Sequence, residues 1–313
     1  MRILCLHGYG TSGSILKYQL DAFLQRADAS HEFVFLDGEY ECPKAQGMGT
    51  FVQGPFRCFN KSFGPHAIQS SLDHLQDFID EEGPFDGVIG FSQGGSLALT
   101  YLLQEASEMS ANPGKVPTFS FAVFLSTIVA FSPDPDFCFD LVEDLTLQDR
   151  EILKNFPHDA SDNDYARLSG PLERAIFFSS LGKVLNTSLR GGFIASDTSL
   201  GLVSLGLGCS TTQETATTRS QRQAELDQLP RIMHPAIVPQ DRRVRIPTVH
   251  VVGSADNAVL VSMSRLMEAL CAPSLTQSLA HEGGHEVPRK PGDVQKLWSA
   301  IEWAAQEAAR QVW

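Results

Sequence analysis

Short apolar runs of strand length alternate along this chain with longer segments whose apolar positions recur every three or four residues. That alternation predicts β-α-β units and a parallel sheet. Ile3-Leu4-Cys5-Leu6 is the first run, and Ser14 to Arg26 follows with Ile15, Leu16, Leu20, Phe23 and Leu24 at helical spacing before the strand Phe33-Val34-Phe35-Leu36. A helix over His66 to Glu82, with Leu72, Leu75, Phe78 and Ile79 apolar, leads to the strand Phe85-Asp86-Gly87-Val88-Ile89 and then to a helix from Ser96 to Leu103. Phe119 to Leu125 and Ile246 to Gly253 read as further strands, and Asp293 to Val312 as a last helix that buries Val294, Leu297, Trp298 and Ile301.

Other stretches break the rhythm. Gly47 to Pro65 is rich in Gly, Phe and Pro without clear periodicity; Phe51, Phe56, Phe59 and Phe63 there are candidates to line an acyl pocket, Phe56 and Phe59 foremost, with plain packing as the alternative. Pro133 to Asp164 is acidic, and Leu172 to Leu189 is apolar enough for one or two helices. Ser196 to Ser220 is dominated by Ser, Thr and Gly, which predicts a loop.

Gly90-Phe91-Ser92-Gln93-Gly94-Gly95 sits between a predicted strand and a predicted helix. A bare G-x-S-x-G arises by chance in about one chain of this length in ten, so the strand-turn-helix context is what gives it weight. Such a turn projects the serine hydroxyl above the strand end. A serine is a poor nucleophile at neutral pH unless a histidine takes its proton and an acid holds that histidine in the useful tautomer. Asp256 lies just past the strand ending at Gly253, and His285 follows the pair Gly283-Gly284 in a later loop. Ser92, Asp256 and His285 thus appear in the chain order of α/β-hydrolases. Asp37 and Asp86 are alternative acids, although Asp86 precedes its strand and falls at the wrong end; His281 is the alternative base. An oxyanion needs two backbone N–H groups aimed at one point, and the candidates are those of Gln93 and of Tyr9, in the glycine-flanked turn after the first strand. His7, at that strand's end, reads as a hydrogen-bonding support beneath the turn.

Together with Leu4 to Gly13, Phe35-Leu36-Asp37-Gly38, Glu41-Cys42-Pro43, Phe85 to Gly95, Ile246 to Gly253 and Gly283 to Pro288, these motifs make the chain resemble the fungal FSH-type serine hydrolases, a branch of the α/β-hydrolase fold. The resemblance covers residues 1 to about 126 and about 246 to 313. It implies a Ser92, Asp256, His285 triad acting on esters or thioesters, and an association with fungal polyketide pathways, where members release acyl chains from a carrier domain. Small members need far fewer residues between the two matching parts. The expected organisation is therefore a core over 1–126 and 246–313 interrupted by an insertion, 127–245, that forms a lid.

Composition narrows the field. At 313 residues and 42% apolar content, one large decorated domain is expected. A formal charge of −13 argues against nucleic acid and anionic membranes, leaving small acyl esters or thioesters as partners. Arg219, Arg222, Arg231, Arg242, Arg243 and Arg245 form the densest positive cluster, a candidate contact for an acidic acyl carrier domain. The six cysteines are scattered without C-x-x-C spacing, so neither metal nor other cofactor is implied. No apolar run reaches membrane-spanning length and the first strand begins at residue 2, which together predict a cytosolic enzyme. The remaining alternatives are a hydrolase or cyclase acting on a small free ester or lactone, and an inactive binding protein.

Overall fold

The computed structural model describes residues 1–143, 149, 167, 169–190 and 229–311. Its strands are β1 (Arg2–Leu6), β2 (Glu32–Leu36), β3 (Tyr40–Glu41), β4 (Arg57–Cys58), β5 (Gly87–Phe91), β6 (Phe121–Leu125), β7 (Thr248–Gly253) and β8 (Thr276–His281). The helices are α1 (Gly13–Gln19), α2 (Asp21–Leu24), α3 (Pro65–Glu82), α4 (Gln93–Ala111), α5 (Leu172–Arg190), α6 (Ala258–Glu268) and α7 (Pro291–Arg310).

Six strands form one sheet in the order β2-β1-β5-β6-β7-β8. Every neighbouring pair is parallel, as the alternating pattern predicted. This is an α/β-hydrolase fold. The four residues Leu6, Phe91, Leu125 and Gly253 close four adjacent strands at the same edge. The inner strands β5, β6 and β7 are buried at every position, because helices cover both faces and no side chain can turn to water. The outer strands β2 and β8 alternate or lose burial, as befits an edge.

Odd-numbered strand residues Ile3, Cys5, Ile89, Phe91, Phe121, Val123, Leu125, Val249 and Val251 pack with Leu16, Leu20 and Phe23 and with the buried face of α7. Trp298 anchors that layer. Its ring stacks on Phe23 at 4.4 Å and its Nε1–H donates to the Phe23 carbonyl at 3.0 Å. The helix expected from Ser14 to Arg26 is broken at Leu20, which caps both α1 and α2 with φ −86° and ψ 3°. The spacing persists through the break because Leu20 and Phe23 still face the same core.

After β1 the chain adds β2 on one side; β5 then pairs on the other side of β1. The order reverses there. In open α/β sheets such a reversal leaves a crevice outside the carboxyl ends of the two strands concerned. The turns holding Tyr9 and Ser92 leave β1 and β5 at that point.

Residues 1–59, 71–130 and 238–313 form one compact unit, which contains the whole sheet, and residues 60–70 and 131–237 form a second. In the second, Phe63 stacks on Phe131 at 4.5 Å, and Phe131 bridges Ile232. Helix α5 buries Phe177, Phe178, Leu181 and Val184. Arg174 lies 3.8 Å from Asp149, both side chains almost wholly buried, and also donates to the Ser169 carbonyl. The Ser/Thr/Gly-rich loop at 196–220, with Arg219, and also Arg222, lie outside the described residues.

Candidate active site

Ser92 joins β5 to α4 at φ 50° and ψ −110°, a conformation that side chains other than glycine rarely adopt. The surroundings hold it there. A Cβ on Gly94 would lie 2.3 Å from the Leu6 carbonyl oxygen, and one on Gly90 would lie 2.5 Å from the Gly95 Cα. Only glycines allow β5, β1 and α4 to close so tightly. The Ser92 N–H donates to the Leu125 carbonyl at 2.9 Å, tying the turn to the end of β6 as well.

Asp256 comes three residues after the end of β7 and His285 four after the end of β8. What brings them together is backbone. Ser254 N–H donates to the His281 carbonyl at 2.7 Å and Ala255 N–H to the Gly283 carbonyl at 3.0 Å. A Cβ on Gly253 would lie 2.0 Å from the Gly284 oxygen, so the two loops meet glycine against glycine. His285 Nδ1 then lies 2.8 Å from Asp256 Oδ2, and His285 Nε2 lies 2.9 Å from Ser92 Oγ. The other Asp256 oxygen accepts the Asn257 N–H at 2.7 Å. The carboxylate is 5% exposed, so its bond to the imidazole is largely shielded from water. The Phe91 ring, 5.2 Å from the imidazole, covers another side.

Of the alternatives, His281 ends β8 with its Nδ1 accepting the Gly283 N–H at 3.1 Å. Asp37 caps α1 through the Gly13 N–H at 2.7 Å. Asp86 accepts the Arg2 N–H, at the opposite end of β5 from Ser92. Those bonds occupy them in the scaffold.

Gln93 opens α4, where the helix presents the positive end of its dipole. Its side chain accepts the Phe59 N–H at 3.0 Å. Tyr9 follows Gly8, whose hypothetical Cβ would lie 3.4 Å from the Ser92 Cβ, so the β1 turn passes directly beside the serine. His7 supports that turn: it is fully buried, its Nδ1 meets the Gly8 carbonyl at 2.7 Å, and its Nε2 accepts the Gly38 N–H at 2.9 Å. Burial lowers its pKa from the ordinary imidazole value, the Gly8 carbonyl and Asp37 opposing that shift. Phe59 is 1% exposed with its ring 4.7 Å from that of His7. Phe56 is half-buried beneath the Lys44 ammonium at 5.5 Å. A cavity of about 440 Å³ holds none of these residues; Leu102, Met109, Val244 and Ile246 line it where β7 begins, at the opposite end of the sheet.

Sequence reasoning passed over Asn257. Its side chain caps α6 by accepting the Val259 N–H at 2.8 Å while its backbone holds Asp256, and the apolar spacing of Leu260, Met263 and Met267 after an Asn was the available signal. Among the described residues no group of three or more His, Cys, Asp or Glu side chains could hold a metal ion. No helix among them is long and apolar enough to cross a membrane.

A family model described as serine hydrolase (FSH1) matches residues 1–297. The chain belongs to the FSH1 serine hydrolase family. Over its full 313 residues it is 42% identical to an esterase of Emericella nidulans, alnB, covering 99% of that protein. It is 25% identical over 262 residues to the serine hydrolase cnsH of Penicillium expansum, covering 84% of this chain and 94% of that protein. Among solved structures, Arabidopsis thaliana SOBER1 matches over 97% of this chain and 98% of its own, at 14% identity and a TM-score of 0.44. This FSH1 family member is a hydrolase acting on ester bonds.

Proposed function

We propose that this hydrolase cleaves an acyl ester or thioester through a covalent acyl-Ser92 intermediate. The unbroken line of hydrogen bonds from Asp256 through His285 to Ser92 carries that reading. With Nδ1–H donated to Asp256, the His285 Nε2 lone pair faces the serine hydroxyl. Ser92 Oγ attacks the carbonyl carbon as its proton passes to Nε2, and the N–H groups of Gln93 and Tyr9 stabilise the oxyanion. Collapse expels the alcohol or thiol, which leaves with the proton from Nε2. Water, deprotonated by the same nitrogen, then releases the acid and restores Ser92.

The family resemblance supports a substrate drawn from fungal secondary metabolism, as an acyl chain on a carrier domain. The esterase name of the relative that spans the whole chain supports a small free ester instead. The arginine cluster proposed to meet a carrier is reduced by the structure. Arg231 is buried and donates to the Pro135 and Leu229 carbonyls, whereas Arg242 and Arg245 are exposed. The insertion 127–245 is proposed to select acyl length; deleting 196–220 should change chain-length preference more than turnover of acetyl esters.

The mechanism is tested with a fluorophosphonate, which should label wild type and not Ser92→Ala; equal labelling of both would end it. The substrate is tested by comparing one acyl group on a carrier protein, on a small soluble thiol and on p-nitrophenol. Charge reversal at Arg242 and Arg245 should slow only the carrier-bound form, with marked salt dependence in wild type.

A further inference from the structure

His281 shares a loop with His285 yet stands outside the Ser92–His285–Asp256 line. It is the last residue of β8 and 6% exposed. Its Nδ1 accepts the Gly283 N–H at 3.1 Å, a bond from a side chain to the backbone two residues on. The ring also abuts that residue, because a Cβ on Gly283 would lie 2.8 Å from Nδ1 and 2.9 Å from Cε1. An acceptor at Nδ1 means a neutral ring with its proton on Nε2. Nε2 is itself buried and, among the described residues, has no hydrogen-bond partner. The imidazole's one recorded hydrogen bond is therefore spent on the backbone of the loop that carries His285.

That backbone is held from both sides. The Gly283 carbonyl accepts from Ala255 N–H and the His281 carbonyl from Ser254 N–H, joining the loop to the segment that leads into Asp256. The Gly283 N–H points the other way, into the imidazole. Without an acceptor there, the Gly283 peptide can rotate, and His285 is only two residues further along. We propose that His281 is a positioning residue whose Nδ1 fixes the Gly283 peptide and thereby aims His285 Nε2 at Ser92. The inference rests on the reading of His285 as the base.

Three substitutions test it. In His281→Asn, Oδ1 stands as many bonds from Cβ as Nδ1 does and can accept the same N–H, as in an Asx turn. His281→Leu fills the space without an acceptor, and His281→Gln places its acceptor one bond too far. Leu and Gln should lower kcat on p-nitrophenyl acetate by about 10²-fold with KM nearly unchanged, while Asn stays within about threefold of wild type, because a misaimed base costs rate rather than binding. Melting temperatures are measured alongside. An Asn variant as impaired as Gln overturns the proposal, and so does a Leu or Gln variant with wild-type kcat. Should Leu fail to fold, the Asn and Gln pair decides alone. Ser92→Ala in the same assay separates the two readings: turnover there removes the triad itself, whereas a silent Ser92→Ala beside three unaffected His281 variants removes only the role of His281.

Discussion

The turn at Ser92 and the loop from His281 to Glu286 both deliver one side chain to the same point, by opposite means. The turn is local: one residue at positive φ, packed between glycines whose missing side chains let three elements close around it. The histidine loop has no comparable strain and takes its shape from another loop, through the bonds from Ser254 and Ala255 and the contact of Gly253 with Gly284. A proposed nucleophile needs a fixed exit from its own strand. A base needs registration with an acid almost thirty residues away in sequence, and only partner backbone provides that.

Removing the chemistry itself should give the largest effects. Ser92→Ala or His285→Ala should reduce ester hydrolysis by about 10⁶-fold and Asp256→Asn by about 10⁴-fold, measured as kcat/KM on p-nitrophenyl acetate. The next two substitutions break the comparison at its centre. Gly253→Ala pushes a methyl into the Gly284 oxygen and should lower kcat by about 10²-fold while the protein stays folded. Gly94→Ala drives a methyl into β1 backbone and should instead appear in urea unfolding, as a loss of about 3 kcal/mol or more. If both changes act only on stability, the two regions do not differ as described.

These glycines mark the limit of what the sequence made legible. G-x-S-x-G declares its turn within five residues, so the place of Ser92 could be read directly. His285 could be preferred to His281 only on its preceding Gly283-Gly284 pair, since both share one loop and the bonds that reach it from the Asp256 side are backbone contacts. Phe59 left pocket lining and packing both open, because its ring contact with His7 and its N–H bond to the Gln93 side chain are long-range and no local spacing encodes them. Arg231 read as surface charge because its partners, the carbonyls of Pro135 and Leu229, are backbone groups that no charge pattern encodes. The strand spacing carried through to five of the six sheet strands, since covered inner strands leave continuous apolar runs, whereas the edge strand β8, only partly buried, left none. The short pair β3 and β4 left no period to detect.

Acid should sharpen the contrast between scaffold and site. His250, in the middle of β7 against Phe124, is pushed by burial from 6.5 to about 4. Between those values the unfolded chain binds a proton that the folded chain refuses. Stability is therefore full above about 6.5 and lost as pH falls towards about 4, by up to about 3 kcal/mol. Urea midpoints at several pH values should show this slope, and His250→Leu should flatten it; His7, lowered by burial too, contributes in the same direction. The smallest effect is expected at Lys290→Ala. It removes an exposed ion pair to Glu282 within the histidine loop, yet esterase turnover should not change, because backbone bonds and not surface charge set that loop.

The residues proposed for chemistry, Tyr9, Ser92, Gln93, Asp256 and His285, all belong to segments 1–59, 71–130 and 238–313, and none to the second unit. Chain can therefore be lengthened, shortened or exchanged between 131 and 237 without inserting a residue between any strand end and the group it presents. For an engineer this is a cassette boundary. Chimaeras that trade residues 131–237 between relatives together with 60–70, whose Phe63 stacks on Phe131, should leave every strand-end segment intact, with Ala130 and Val238 as the splice points of the longer piece.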